Sequence, residues 1–143
     1  AIKNLEKDIK DSNAKIQIDE HLPTVSGDRI LLEMIMLNLI NNGIKYTKQD
    51  HQPEIKISSV ETPSEFHIKV KDNGIGIDKK CQPKIFDLFA RMVTDKDYPG
   101  SGIGLSIAQK ATMYHGGKIW VESNLNEGSE FVFSITKYKS VNT

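Results

Sequence analysis

Residues 28–47 read DRILLEMIMLNLINNGIKYT and form the longest element of the chain. It contains no proline, and Ile30, Leu31, Leu32, Met34, Ile35, Met36, Leu37, Leu39 and Ile40 make it a largely buried helix with Asp28 near its N-cap. One side of that helix is not apolar. At about 100° per residue, Asn38, Asn41, Asn42 and Lys45 fall within about a quarter of the circumference. A neutral amide oxygen from Asn42 suits a hard cation such as Mg²⁺, and Lys45 one turn later suits phosphate oxygens. The same residues near a helix C-terminus equally serve to satisfy carbonyls and face water, so the stripe needs corroboration elsewhere.

Working outward, Ile55, Ile57 and Val60, then Phe66, Ile68 and Val70, alternate with polar residues and predict two strands, with Pro53 and Pro63 outside them. Asp72 to Asp78 is a glycine-containing turn, and Pro83 to Arg91 predicts a short helix with Phe86 and Phe89 on one side. A helix from about Leu105 to Tyr114 ends at Gly116-Gly117, and strands over Lys118–Ser123 and Glu130–Lys137 join through a turn around Asn126 to Gly128. Upstream, Ile2, Leu5 and Ile9 mark a short amphipathic helix before Asn13, and Lys15 to Asp19 alternates as a half-buried strand stopped by Pro23. The strands belong in one mixed sheet, and the two longer helices, apolar on one side each, need a shared layer on one of its faces. The expected fold is therefore an α/β two-layer sandwich.

At 143 residues the chain has the length of one domain, without internal repeat or linker. Charged residues make up 27% and hydrophobic residues 38%, which is globular composition. Nineteen basic residues balance nineteen acidic ones, so the footprint of a dedicated nucleic-acid binder is missing and any anionic ligand must be held locally. The strongest apolar run, Met34 to Ile40, is interrupted by Asn38 and falls far short of the ~18 residues of a membrane span. Cys81 is the only cysteine, which excludes an internal disulfide.

Two glycine turns carry candidate chemistry. In Asp72-Asn73-Gly74-Ile75-Gly76-Ile77-Asp78 a carboxylate ends a strand beside glycines that let the backbone approach a flat ligand. An ionised carboxylate is acceptor-only, so it suits an exocyclic amino group such as adenine N6–H₂ and repels phosphate. The segment lacks the spacing and the terminal glutamate of an EF-hand, while an ordinary Asn-Gly turn stays open as its reading. Gly100-Ser101-Gly102-Ile103-Gly104-Leu105-Ser106 opens a helix whose free N–H groups make a phosphate cradle. It matches neither a Walker A loop nor the Gly-x-Gly-x-x-Gly dinucleotide fingerprint. Phe86 and Phe89, taken alone, read as core.

In this order, the Asn-rich helix, Asp-x-Gly-x-Gly, Phe-x-x-Phe and Gly-x-Gly-x-Gly resemble the N, G1, F and G2 boxes of sensor histidine kinases. The resemblance also takes in Leu22-Pro23, Gly27-Asp28, His115 to Ser123 and Gly128 to Phe131, and Tyr98-Pro99-Gly100-Ser101-Gly102 is similar to the lid of phytochrome-like and PAS-linked kinases. It implies the histidine kinase-like ATPase fold, with ATP and Mg²⁺ as cofactors. It makes Asn42 the Mg²⁺ ligand, Asp72 the adenine acceptor, and Gly74 and Gly76 the turn beneath the base. Lys45 and Gly102 to Gly104 would meet phosphates, Tyr46 would lie near the adenine, and Phe86 and Phe89 would anchor a lid over about residues 92–102. Ile77, Arg91, Gly100, Ser101, Ile103, Leu105 and Ser129 complete the implied nucleotide-contacting set, while Asn38, Asn42 and Lys45 are the catalytic candidates. Gly43 stands where the family commonly has Ala, and Asp87 where it commonly has Glu.

The resemblance further implies one cytoplasmic ATP-binding catalytic domain over 1–143, with 1–13 a residual linker helix and the phosphoacceptor domain elsewhere in a homodimeric parent, either soluble or membrane-anchored. The excised domain is expected to be monomeric. Its γ-phosphate would go to a histidine on the separate dimerisation domain, with a response-regulator receiver downstream. An autonomous ATPase of the wider fold is the alternative enzyme, and a nucleotide-sensing interaction module the non-enzymatic alternative. In hydrolysing relatives a Glu stands one turn before the metal Asn; here it is Asn38, which cannot act as a base. Glu33 lies about 180° away around the helix from Asn42. His115 precedes Gly116-Gly117 in a helix-ending pattern, which favours a structural role over a phosphoacceptor one.

Overall fold

The computed structural model describes residues 7, 10, 13–20, 22–23, 27–48, 50–87 and 104–137. Helix α1 spans Arg29–Lys45. It starts where expected, because Asp28 Oδ1 accepts the Leu31 N–H at 3.0 Å and so satisfies one of the donors left open at a helix start. Tyr46 ends it, its N–H donating to Asn42 O at 3.2 Å. The burial is narrower than the apolar run suggests. Ile35, Leu39, Ile40 and Gly43 are buried, whereas Ile30 is 62% exposed, since only one side of the helix meets other elements.

Five strands follow the sequence alternation: β1 (Lys15–Ile18), β2 (Glu54–Glu61), β3 (Glu65–Asp72), β4 (Ile119–Ser123) and β5 (Ser129–Thr136). They form one sheet in the order β1-β2-β3-β5-β4, with β1 parallel to β2 and the other pairs antiparallel. Ile55, Ile57, Ile68, Val70, Phe131, Phe133 and Ile135 point from it into the core. Helix α2 (Gly104–Tyr114) packs beside α1, and both touch the sheet, so the two helices share one face as their apolar sides require. Leu105, Ala108 and Ala111 of α2 complete the core.

At the far end of α2, Gly116 N–H donates to Met113 O at 2.9 Å and Gly117 N–H to Thr112 O at 3.1 Å, the Schellman closure that the Gly-Gly pair announces. His115 sits inside this closure. Its Nδ1 lies 2.8 Å from Ala111 O, and its Nε2 accepts the Asp28 N–H at 2.9 Å. One imidazole thereby ties the C-terminus of α2 to the N-cap of α1, and both ring nitrogens are engaged.

The helix expected over Pro83 to Arg91 is not formed in its described part. Gln82–Lys84 is a single 3₁₀ turn, and the N–H groups of Lys84 and Asp87 each reach back three residues, to Cys81 and Lys84. A segment this short does not repay helix nucleation; it is held by Ile85, 2% exposed, and by Phe86 edge-on to Phe131 at 6.2 Å. Residues 88–91, most of the 1–13 helix and the 92–102 lid lie outside the described residues.

Candidate functional site

Asp72 ends β3 on the helix-bearing face and is 7% exposed. Its Oδ1 accepts the Gly74 N–H at 2.9 Å and the Ser129 N–H at 3.2 Å. Both bonds use the same oxygen, which leaves Oδ2 as the acceptor for a ligand donor. Burial pushes the carboxyl up from 3.8 to about 6, against the pull of those two N–H bonds. At neutral pH it is therefore still predominantly an acceptor-only carboxylate. Helix α1 crosses close to it: a Cβ at Gly43 would lie 2.9 Å from Asp72 Cβ and 2.7 Å from Ile55 Cδ1.

The loop after Asp72 is held from both sides. Ile75 N–H donates to Tyr46 O at 2.9 Å, and a Cβ at Gly74 would meet that same oxygen at 2.6 Å. Gly76 has φ +77°, and a Cβ there would collide with Asn124 O, so neither the backbone conformation nor the space admits another residue. Asn73 faces away from the ligand side: its Oδ1 accepts the Glu54 N–H at 2.9 Å and its Nδ2 donates to Gln52 O at 3.0 Å.

Two residues that the sequence did not single out complete the support. Ser123 Oγ accepts the Ile77 N–H at 2.8 Å, donates to Gly128 O at 2.8 Å and lies 2.8 Å from Ser129 Oγ. Gln82 Nε2 bridges Ile77 O at 3.0 Å and Ser123 O at 2.9 Å. Ser123 ends the stretch His115 to Ser123 that carries part of the resemblance, but neither residue is marked by periodicity, because each matters only through partners on distant elements. Ser129 in turn acts by holding Asp72 and Ser123, while Ile77 and Leu105, 3% and 8% exposed, belong to the core wall behind the site.

At the other end of the stripe, Asn38 Nδ2 donates to Met34 O at 2.7 Å. Its Oδ1 lies 2.8 Å from where a Cβ of Gly104 would be, so the start of α2 abuts the polar stripe of α1. A helix start offers free N–H groups and a partial positive charge to an anion. Lys45 Nζ lies 5.2 Å from the centre of the buried Tyr46 ring. Gly43 beside Asp72 and Asn38 beside Gly104 are separated by about 7.5 Å of helix rise. The tertiary structure thus brings together Asn38, Lys45, Tyr46, Asp72, Gly74, Gly76, Gly104 and Ser129, with Asn42 between Asn38 and Lys45 on the same helix. Phe86 stands beneath them against Phe131. Phe89, Arg91, Gly100, Ser101, Gly102 and Ile103 lie outside the described residues.

A buried acceptor at one end and a helix start at the other define a site for an elongated ligand with an amino-bearing flat group and an anionic tail, on a two-layer α/β sandwich. Residues 27–139 match the family described as histidine kinase-, DNA gyrase B- and HSP90-like ATPase, and the chain belongs to that family. It is 43% identical over 135 residues to the phytochrome-like protein Cph1 of Synechocystis, covering 94% of this chain and 18% of that protein. It is 31% identical over 140 residues to the adaptive-response sensory kinase SasA of Gloeothece citriformis, covering 96% of this chain and 35% of that protein. The catalytic domain of histidine kinase ThkA superposes with a TM-score of 0.72 at 32% identity, covering 95% of this chain and 91% of that one. The mycobacterial sensor histidine kinase MprB shares the fold with a TM-score of 0.81 at 20% identity, over 97% of this chain and 95% of that one. The chain spans 18% and 35% of the length of these two curated relatives, Cph1 and SasA. The resemblance to sensor histidine kinase catalytic domains, including phytochrome-like ones, is borne out.

Proposed function

We propose that this domain lies in the cytoplasm, binds Mg·ATP and presents the γ-phosphate to a histidine on a separate helical dimerisation domain of a homodimeric parent, with a response-regulator receiver taking the phosphate downstream. The observation that carries this reading is Asp72, whose Oδ1 is held by Gly74 and Ser129 while Oδ2 remains to accept adenine N6–H₂. The start of α2 against Asn38 receives the phosphates, joined by Lys45. Among the described residues no cluster of three or more His, Cys, Asp or Glu could hold a metal ion. Mg²⁺ would keep several waters and take most other ligands from the phosphates, with Asn42 supplying an amide oxygen. When bound, Mg²⁺ neutralises charge developing on the phosphate oxygens. The protein residues position the nucleotide and exclude water from its base.

Hydrolysis by an autonomous ATPase is disfavoured by the groups available. Asn38 cannot take a proton, and its amide is bonded to the helix backbone. Glu33 is bonded to Arg29 at 3.0 Å on the surface. His115 has both ring nitrogens occupied, which disfavours its phosphorylation. The isolated chain should therefore bind a nonhydrolysable ATP analogue in a Mg²⁺-dependent way in calorimetry, turn ATP over slowly and not label itself. Adding the parent's dimerisation domain should yield an acid-labile phosphate on a histidine of the added segment. Absence of nucleotide binding would point instead to an interaction module. Phosphate on His115, or turnover lost only on substituting Glu33, would overturn the division of labour.

A further inference from the structure

The face of the sheet turned away from α1 and α2 takes no part in nucleotide binding, and among the described residues no helix covers it. One cross-strand row on that face has an ordered charge sequence. Lys56 on β2 stands opposite Lys71 on β3, Lys71 opposite Glu130 on β5, and Glu130 opposite Glu122 on β4. The row reads plus, plus, minus, minus. Like charges directly opposite one another on neighbouring strands are unfavourable within one chain, and this row has such a pair at each end. Among the described residues no ion pair engages Lys56, Lys71 or Glu122, and Glu130 is reached only by Lys69 at 3.8 Å. Two open clefts flank the row. One of about 250 Å³ is lined by Lys15, Glu54, Lys56 and Lys71 and reaches Asp72 at the strand end, and the other, of about 230 Å³, is lined by Lys71, Glu122, Glu127 and Glu130.

We propose that this face is a self-association surface on which a second copy of the chain docks about a two-fold axis parallel to the strands, passing between β3 and β5. That operation reverses the order across the sheet. Lys56 of one copy then meets Glu122 of the other, Lys71 meets Glu130, and the same contacts repeat by symmetry, as an isologous interface requires. A two-fold axis across the strands would set lysine over lysine, so the charge order selects one orientation. The face is largely polar, so the attraction is weak and salt-sensitive, and the dilute chain is a monomer. It suits copies already tethered to one another, for which short flexible linkers give effective concentrations near millimolar.

Sedimentation velocity on the 143-residue chain tests this, from micromolar to millimolar protein and at low and high salt. A concentration-dependent dimer is expected, weakening roughly 10-fold or more as salt shortens the Debye length from about 10 Å to about 3 Å. Lys56→Glu/Lys71→Glu and Glu122→Lys/Glu130→Lys should each abolish it, and an equimolar mixture of the two variants should restore a heterodimer. Binding of the ATP analogue, whose site is on the other face, reports that each variant is folded. If a reversal fails that check, Lys56→Gln and Glu122→Gln carry the test, each expected to weaken the dimer. A wild type that stays monomeric at millimolar concentration in low salt, folded variants that dimerise like wild type, or a folded mixture that stays monomeric would overturn the proposal.

Discussion

Asp72 carries two opposing demands, and its protonation makes both measurable. Its carboxyl is raised from 3.8 to about 6 by burial, so between those values the unfolded chain releases a proton that the folded chain keeps. The stabilising contribution is fully present below 3.8 and is lost as pH rises through about 6, amounting to about 3 kcal/mol. Asp72→Asn should remove that dependence. Urea unfolding of the apoprotein from pH 4 to pH 7 should show wild type losing stability relative to the variant; parallel profiles would place the effect on another group. In binding the order reverses. An Asn oxygen accepting from Gly74 and Ser129 turns its NH₂ toward the adenine amino group, so affinity for the ATP analogue should drop roughly 10- to 150-fold, for the loss of ~1.5–3 kcal/mol. Wild-type affinity should itself weaken as pH falls below about 6, because a protonated Asp72 is the poorer acceptor. Ser123→Ala should leave the Ile77 N–H without its acceptor at a cost of about 1–3 kcal/mol, read as faster hydrogen exchange at Ile77 and weaker analogue binding. Unchanged exchange there would remove Ser123 from the support of the loop.

At the scale of elements, α1 and α2 are joined by His115 at one end and by the Asn38 and Gly104 contact at the other. His115→Ala should strip the Asp28 N–H of its partner and loosen the N-cap of α1. A cost of about 1–2 kcal/mol is expected, lowering the thermal midpoint by several degrees. Transfer in the presence of the dimerisation domain should survive, once measured below the lowered midpoint. Loss of transfer in a folded His115→Ala protein would give the ring a chemical role beyond the structural one. The 3₁₀ turn at Gln82–Lys84 shows why short elements escape pattern reading: three residues hold too little periodicity to separate a helix from a turn, and packing against Phe131 decides.

For the whole molecule, ligand binding and stability are linked. Mg·ATP analogue at about 100 times its Kd should stabilise the fold by about 2.7 kcal/mol, or roughly 5–10 °C in a domain of this size. Asn42→Ala should reduce that shift with Mg²⁺ and leave the smaller Mg²⁺-free shift intact. Equal loss with and without the metal would remove Asn42 as a metal ligand.

The five strands, α1 and α2 and their order were legible in the sequence, whereas the helix expected over Pro83 to Arg91 was not formed in its described part. Alternation in β2, β3 and β5 and the apolar run of α1 are local consequences of burying one side of a strand or helix. The sequence also marked Asp72, Gly74, Gly76 and the Asn38 to Lys45 stripe, because a carboxylate beside glycines and amides along a buried helix conflict with plain core packing. Packing alone fixes which oxygen of Asp72 is free, that Gly43 lets α1 lie against it, and that Ser123 and Gln82 brace the loop. Those facts depend on chain crossings between residues far apart in sequence, such as Ser129 N–H to Asp72 over 57 positions, and no local pattern encodes a hydrogen bond of that range. The charge order of Lys56, Lys71, Glu130 and Glu122 has the same origin: it exists only once strand register sets four separate segments side by side.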